Sequence, residues 1–283
     1  MRMRQQNTGL PATTPLADQA AGLRSLVERE GLRVLPVFGA GPGVGAGAIA
    51  AGLAQELAAT SRALLLDQTG EALASLGLAP GRDLIDLLHG RLEFGDVVQR
   101  AGKLRAVNAR EGLTRLLEAG QAGADFFGGF LRVADPADMV VMLLDSASAT
   151  LPEIVQSGHE VLIVATPRPA ALTASYARIK QLAEASDAQA VFRVLVNGAT
   201  DEAQAQAVYR SLATTAREFI GVRLRFAGWL PLVPGFPLFG QGHRASNPAG
   251  RKALAQIALA IPTWHLATCT SRHSSADEPY PIQ

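Results

Sequence analysis

With 283 residues, 48 % of them apolar, the chain has material for one large α/β domain or two small ones and for a sizeable buried core. Its 26 Lys and Arg against 25 Asp and Glu give a net charge of +1, spread without blocks, so there is no electrostatic ground for a nucleic-acid partner. The single cysteine, Cys269, excludes a disulfide framework and a cysteine-based zinc site and suits a reducing compartment.

The N-terminal stretch MRMRQQNTGLPATTPLADQ lacks the apolar core of a signal peptide. No apolar run of roughly 18 residues is free of charges and breakers, so no bilayer span is expected and a cytoplasmic protein is. Residues 1–16 read as a mobile leader. In DQAAGLRSLVERE (18–30), Ala20, Leu23 and Val27 share one helical face, Leu26 lies beside them, and Asp18 can cap the start. Gly22 weakens that helix by about 1 kcal/mol, so it is marginal by itself.

From residue 32 the pattern alternates. Strands are expected at 32–38, 62–67, 138–145, 159–166, 190–197 and 222–231. Helices are expected at 48–60, 83–90, 93–102, 169–186, 201–220 and 247–261. Near-continuous apolar strands such as DMVVMLLD are those of a parallel sheet covered on both faces. The expected fold is therefore a doubly wound, mainly parallel α/β sheet flanked by helices, with an N-terminal helical arm. Its boundaries fall at 1–30 for the leader and arm, 31–265 for the α/β domain and 266–283 for a polar, disordered tail. The loops after Phe38, Asp67, Asp145, Thr166 and Asn197 all leave the carboxyl edge of the sheet, where ligands bind in such folds.

The first of these loops, in FGAGPGVGAGAIAAGLAQELA (38–58), has the outline of a phosphate loop between a strand and a helix. A working loop wraps phosphates with glycine backbone, neutralises them with a Lys and ligates magnesium through a Ser or Thr hydroxyl. Gly39, Gly41, Gly43, Gly45 and Gly47 provide the wrap, and Pro42 removes one N–H from it. No Lys, Ser or Thr occurs between Phe38 and Ala59. A dinucleotide-type Gly-x-Gly-x-x-Gly fits only without its third glycine. Local chemistry leaves a nucleotide site and a structural turn equally open.

Other stretches carry a resemblance. The order of features is similar to that of the MinD/ParA branch of P-loop ATPases, whose loop reads Lys-Gly-Gly-x-Gly-Lys-Thr. Aligned with it, Gly41 stands at the signature Lys, Ala46 at the phosphate Lys and Gly47 at the magnesium Thr. LLLDQTG keeps Asp67 but has Thr69 where a second Asp is usual. VVMLLD offers Asp145 on the magnesium side, VLIVATPRPAALTASYARIKQL resembles the Thr-Pro strand–helix segment, and VLVN places Asn197 where the family contacts adenine. GWLP (228–231) matches the closing Gly-x-Ile-Pro, with Val233 in place of a usual Asp. Within that branch the chain resembles the FlhG/FleN flagellar-number regulators. Asp18, Gln19, Ala20, Leu23 and Arg24 fit their Asp-Gln-Ala-x-x-Leu-Arg motif, and APGRDLIDLLHGRLEFGDVV (79–98) fits a further segment.

The resemblance implies a cytoplasmic regulator of flagellar number or placement, recruited to the cell pole or membrane through partners. Those partners would be an FlhF-like GTPase of the signal-recognition type, whose site Gln19 would enter, and a flagellar transcription activator or switch component; membrane contact would be peripheral at most. A neutral amide can orient an attacking water, the role Gln plays in other GTPases. Any retained nucleotide would lie on Gly41, Gly43, Val44, Gly45, Ala46, Gly47, Ala48 and Asn197. Asp67 and Asp145 would be remnants of a magnesium site or caps of nearby loops. Without both lysines and the hydroxyl, the loop is expected to be a structural relic that keeps the strand-to-helix turn and no cofactor is assigned; ATP and magnesium could bind there only weakly, with little or no hydrolysis. The alternatives are a slow MinD-like ATPase with an atypical loop and a MinD-like accessory factor of cellulose synthesis or partitioning. The five histidines are isolated and suggest no metal site. RKALAQIALAIPTWHLA (251–267) carries only two cations and reads as the last core helix.

Overall fold

The structure is a computed structural model that describes residues 32–41, 43–120, 123, 137–145, 159–185, 190–232 and 247–269. The arm at 18–30, Pro42, Val233 and the tail beyond 269 lie outside the described residues.

The elements in chain order are β1 (Leu32–Gly39), α1 (Ala46–Leu57), β2 (Ala63–Asp67), α2 (Glu71–Ser75), α3 (Leu84–Leu88), α4 (Phe94–Val97), β3 (Val98–Ala101), β4 (Leu104–Asn108), α5 (Arg110–Glu118), β5 (Met139–Leu144), β6 (Glu160–Ala165), α6 (Pro169–Ala185), β7 (Val191–Ala199), α7 (Glu202–Ile220), β8 (Leu224–Pro231), α8 (Pro248–Ala260), a 3-10 turn (Ile261–Thr263) and β9 (Ala267–Cys269). They form a sheet of nine strands in the order β3-β4-β2-β5-β1-β6-β7-β8, with β9 on the start of β1. Neighbours from β4 to β8 are parallel, while β3 and β9 are antiparallel to their partners.

The period of two along each strand sends alternate side chains to opposite faces. Val34, Phe38, Val140, Met142, Val161 and Ile163 join Leu84, Leu113, Ile179 and Leu212 of α3, α5, α6 and α7 on one face. Leu35, Val37, Val141, Leu143, Leu162 and Val164 join Ile49, Leu53, Leu73, Leu254 and Ile257 of α1, α2 and α8 on the other. Burial on both faces explains why these strands read as unbroken apolar runs.

Polar ties fix the amino-terminal edge. Arg62 grips Asp138 through Nη2 at 2.6 Å, joining the segments that lead into β2 and β5. Glu160, 1 % exposed, accepts from Arg193 Nε at 2.7 Å and Nη2 at 2.9 Å, and pairs with Arg225. The Arg193 guanidinium lies 4.3 Å over the Trp264 ring, a cation–π contact.

Three differences from the sequence expectations stand out. The helix expected over 93–102 ends at Val97, and Val98–Ala101 turns back through a hairpin onto Leu104–Asn108. Gly102, at φ 64, takes the left-handed corner that any other residue would resist. Strand β4 and helix α5 fill a stretch that carried no expected element. The sheet also reaches past residue 265, because Ala267–Cys269 pair with Leu32–Val34. None of the described helices is long and apolar enough to cross a membrane.

Candidate functional site

The glycine loop leaves β1 between β5 and β6. The Ala40 N–H still donates to the Val164 carbonyl at 3.0 Å. Gly41, Gly43 and Gly45 then take φ of 138, 70 and 81, the left-handed conformations for which glycine is suited. Gly45 is the N-cap of α1, with no side-chain cap and no acidic residue in the first turn. The wrap expected from Gly41, Gly43, Val44, Gly45, Ala46, Gly47 and Ala48 is therefore present as a strand-to-helix turn.

Its backbone is held by the protein's own side chains. Asn197 donates from Nδ2 to the Val44 carbonyl at 2.8 Å. A Cβ at Gly45 would lie 2.7 Å from that same amide nitrogen, so a side chain there would displace the Asn197 bond as well as strain the backbone. Arg168 donates from Nη2 to the Gly43 carbonyl at 3.0 Å. Asn197, placed at an adenine by the family alignment, here ties the loop to β7.

Position 47, which the resemblance aligns with a magnesium-binding Thr, has no room for a side chain. Gly47 packs against α2 so tightly that an added Cβ would meet the Glu71 Cβ, would lie 2.7 Å from the Glu71 carbonyl carbon and would lie 3.0 Å from the Ala72 nitrogen. Contacts under 3 Å to backbone cannot be relieved by a rotamer change, so a Thr does not fit without moving α2.

Asp67 is fully buried, and four donors occupy its carboxylate. Oδ1 accepts from the Thr69 N–H, the Thr69 hydroxyl and the Gly70 N–H, each at 2.9 Å. Oδ2 accepts from the Leu73 N–H at 2.8 Å. The group caps the turn into α2, the loop-capping alternative weighed above.

Asp145 stands across the cleft. Its N–H donates to Gln68 Oε1 at 2.8 Å, and Gln68 Nε2 reaches the Thr114 hydroxyl at 3.0 Å. Burial lowers the Arg178 pKa below the usual arginine value, and the charge of Asp145 partly opposes that shift. Arg110 Nη2 donates to the Thr69 carbonyl at 2.8 Å. Gly41, Ala46, Thr69, Glu71, Arg110 and Asp145 are among the walls of a cleft of about 310 Å³.

The site thus brings together the glycine loop, Asp145 and Asn197, with Asp67 behind α2. Asp18, Gln19, Ala20, Leu23 and Arg24 lie outside the described residues. Gln68, Glu71, Arg110, Thr114 and Arg168 were not singled out from the sequence. Arg168 follows the end of β6 by three residues and Gln68 adjoins Asp67, so their position at the carboxyl edge was the available signal. Among the described residues no group of three or more His, Cys, Asp or Glu could hold a metal ion.

The fold is shared with solved proteins. MinD from Aquifex aeolicus aligns with a TM-score of 0.57 at 16 % identity, over 89 % of this chain and 99 % of that one. A ParA-family ATPase from Chlorobium tepidum aligns with a TM-score of 0.56 at 18 % identity, over 82 % of this chain and 99 % of the other. No family-wide sequence profile matches the chain. The strand order and the loop-to-α1 turn, with these likenesses, define a MinD/ParA-type P-loop NTPase fold. The antiactivator FleN of Pseudomonas aeruginosa is 29 % identical over 237 residues, which is 81 % of this chain and 84 % of FleN. The chain is thus similar in sequence to an FlhG/FleN regulator and shares the fold of MinD and ParA.

Proposed function

We propose that this protein regulates flagellar number or placement and flagellar biosynthesis by binding other proteins, with a glycine loop that no longer turns over ATP. The observation that carries the second half is the packing at Gly47, where the backbone of α2 occupies the place of a magnesium-ligating side chain. Two further facts agree with it. No lysine stands at 41 or 46, and Glu71 adds negative charge beside the cleft. The family's magnesium–ATP complex does not fit these residues.

The regulatory half rests on the likeness to FleN, named an antiactivator, which points to a flagellar transcription activator as one partner. The motif from Asp18 to Arg24 adds a second, an FlhF-like GTPase completed by Gln19. The test is GTP turnover by FlhF mixed with the full chain. Stimulation lost on Gln19→Ala supports the mechanism, and no stimulation, or stimulation indifferent to that change, removes it.

The rival reading is a slow ATPase, favoured by the left-handed glycines and uncapped α1 that keep the phosphate wrap. Calorimetric titration with millimolar Mg-ATP separates the two. Binding that weakens in Asp145→Ala would support the ATPase reading and count against ours.

A further inference from the structure

Helix α7 and the start of β8 frame a groove of about 360 Å³, walled in part by Arg210, Arg217 and Arg223. Arg210 and Arg217 are seven residues apart, two turns, so they share one face of α7 about 10 Å apart along its axis. Arg223 enters from the turn after Gly221, whose φ of 68 ends the helix. All three arginines are exposed.

The groove has donors and no carboxylate. Among the described residues, none of the three guanidiniums makes an ion pair or a hydrogen bond, and the Thr214 hydroxyl beside them has no partner either. Tyr209 is committed, donating its hydroxyl to the Leu224 carbonyl at 2.9 Å. Arg62, Arg91, Arg115, Arg193 and Arg225 of the same chain all pair with carboxylates. Glu218 adjoins Arg217 in sequence but does not wall the groove.

Three guanidiniums gathered without a counter-charge repel one another, and a bound anion relieves that repulsion. The charge count selects the anion. A carboxylate or a phosphodiester brings one negative charge, whereas a phosphate monoester brings about −1.5 to −2 and a diphosphate more. Guanidinium forks also match phosphate oxygens two at a time. A concave groove of this size suits a small ligand. We propose that this groove binds the phosphates of a small molecule bearing a diphosphate or a terminal phosphate monoester. The site is separate from the glycine loop and does not depend on how that loop is read.

The experiment is a calorimetric titration of the full chain with sodium pyrophosphate, without magnesium. The expected result is binding that weakens with added salt and falls at least tenfold in Arg217→Gln/Arg223→Gln. The exposed Arg100→Gln serves as the control and leaves the affinity unchanged. These side chains are exposed and unpaired, so the thermal midpoint of the double variant is expected to match the parent. Absence of binding at millimolar pyrophosphate overturns the proposal, as does binding that survives the double variant. Adsorption to phosphatidylglycerol vesicles that pyrophosphate does not displace would also overturn it, in favour of a lipid surface.

Discussion

Gly47 and Glu71 lie so close that a Cβ added to Gly47 would meet the Glu71 Cβ and lie 2.7 Å from the Glu71 carbonyl carbon. The approach of α2 to α1 is set by buried apolar packing of Ala72 and Leu73 against the α1 face. Position 47 has no room for a side chain because of this helix packing. Gly47→Thr is expected to cost about 1–3 kcal/mol in urea unfolding, the usual range for overpacking. Ala46→Lys/Gly47→Thr is expected to show no Mg-ATP turnover. A variant that kept its stability and gained turnover would contradict the packing argument.

Asp67→Ala is expected to destabilise the fold by about 3 kcal/mol, because it leaves the buried Leu73 N–H and the turn donors without an acceptor. Added magnesium should not change that difference. A stability gap that opens only with magnesium would mean that the carboxylate serves a metal.

Asn197→Ala should act locally. Losing one bond to a loop carbonyl costs about 1 kcal/mol. Hydrogen exchange at residues 43–49 should therefore speed up in Asn197→Ala, and further in Asn197→Ala/Arg168→Ala, while the central strands exchange as before. Faster exchange across the whole sheet would show that the loop is not an independent unit.

The Arg62–Asp138 pair gives a pH dependence. Hydrogen bonding to Arg62 lowers the Asp138 pKa, burial opposing it in part. A carboxylate lowered on folding contributes stability above its unfolded value, near pH 4, and loses it as pH falls through the folded value. Both side chains are substantially exposed, so the contribution is small. The denaturation midpoints of the parent and Asp138→Asn should differ at pH 7 and converge on acidification towards pH 3. A gap constant with pH would place the stabilisation elsewhere.

The central strands were legible because burial on both faces leaves no polar interruption, as in MVVMLL and VLIVA. Strand β3 was not, since its VQRA is half-exposed and Gly102 reads equally well as a helix terminus or a hairpin corner. Strand β9 pairs with residues more than 200 positions away, and three residues carry no periodicity of their own. At the site, the glycines, Asp67, Asp145 and Asn197 were visible as residue types at strand ends. What they do was not. The four donors on Asp67 depend on how the Thr69–Leu73 backbone curls, and the crowding at Gly47 depends on a helix-to-helix distance that no local pattern encodes.

The pairing of Leu32 with Cys269 makes the described α/β domain a nearly closed circuit, its first and last strands meeting on one ladder. Neighbouring strands stand about 5 Å apart, within reach of a very short peptide joint. The chain could therefore be reconnected through that joint and reopened at the exposed Gly102–Lys103 corner, giving a permuted protein with the same sheet order. Reporter groups attached at residues 32 and 269 would sit side by side in the folded state and separate on unfolding, which makes β9 a built-in gauge of whether the sheet is complete.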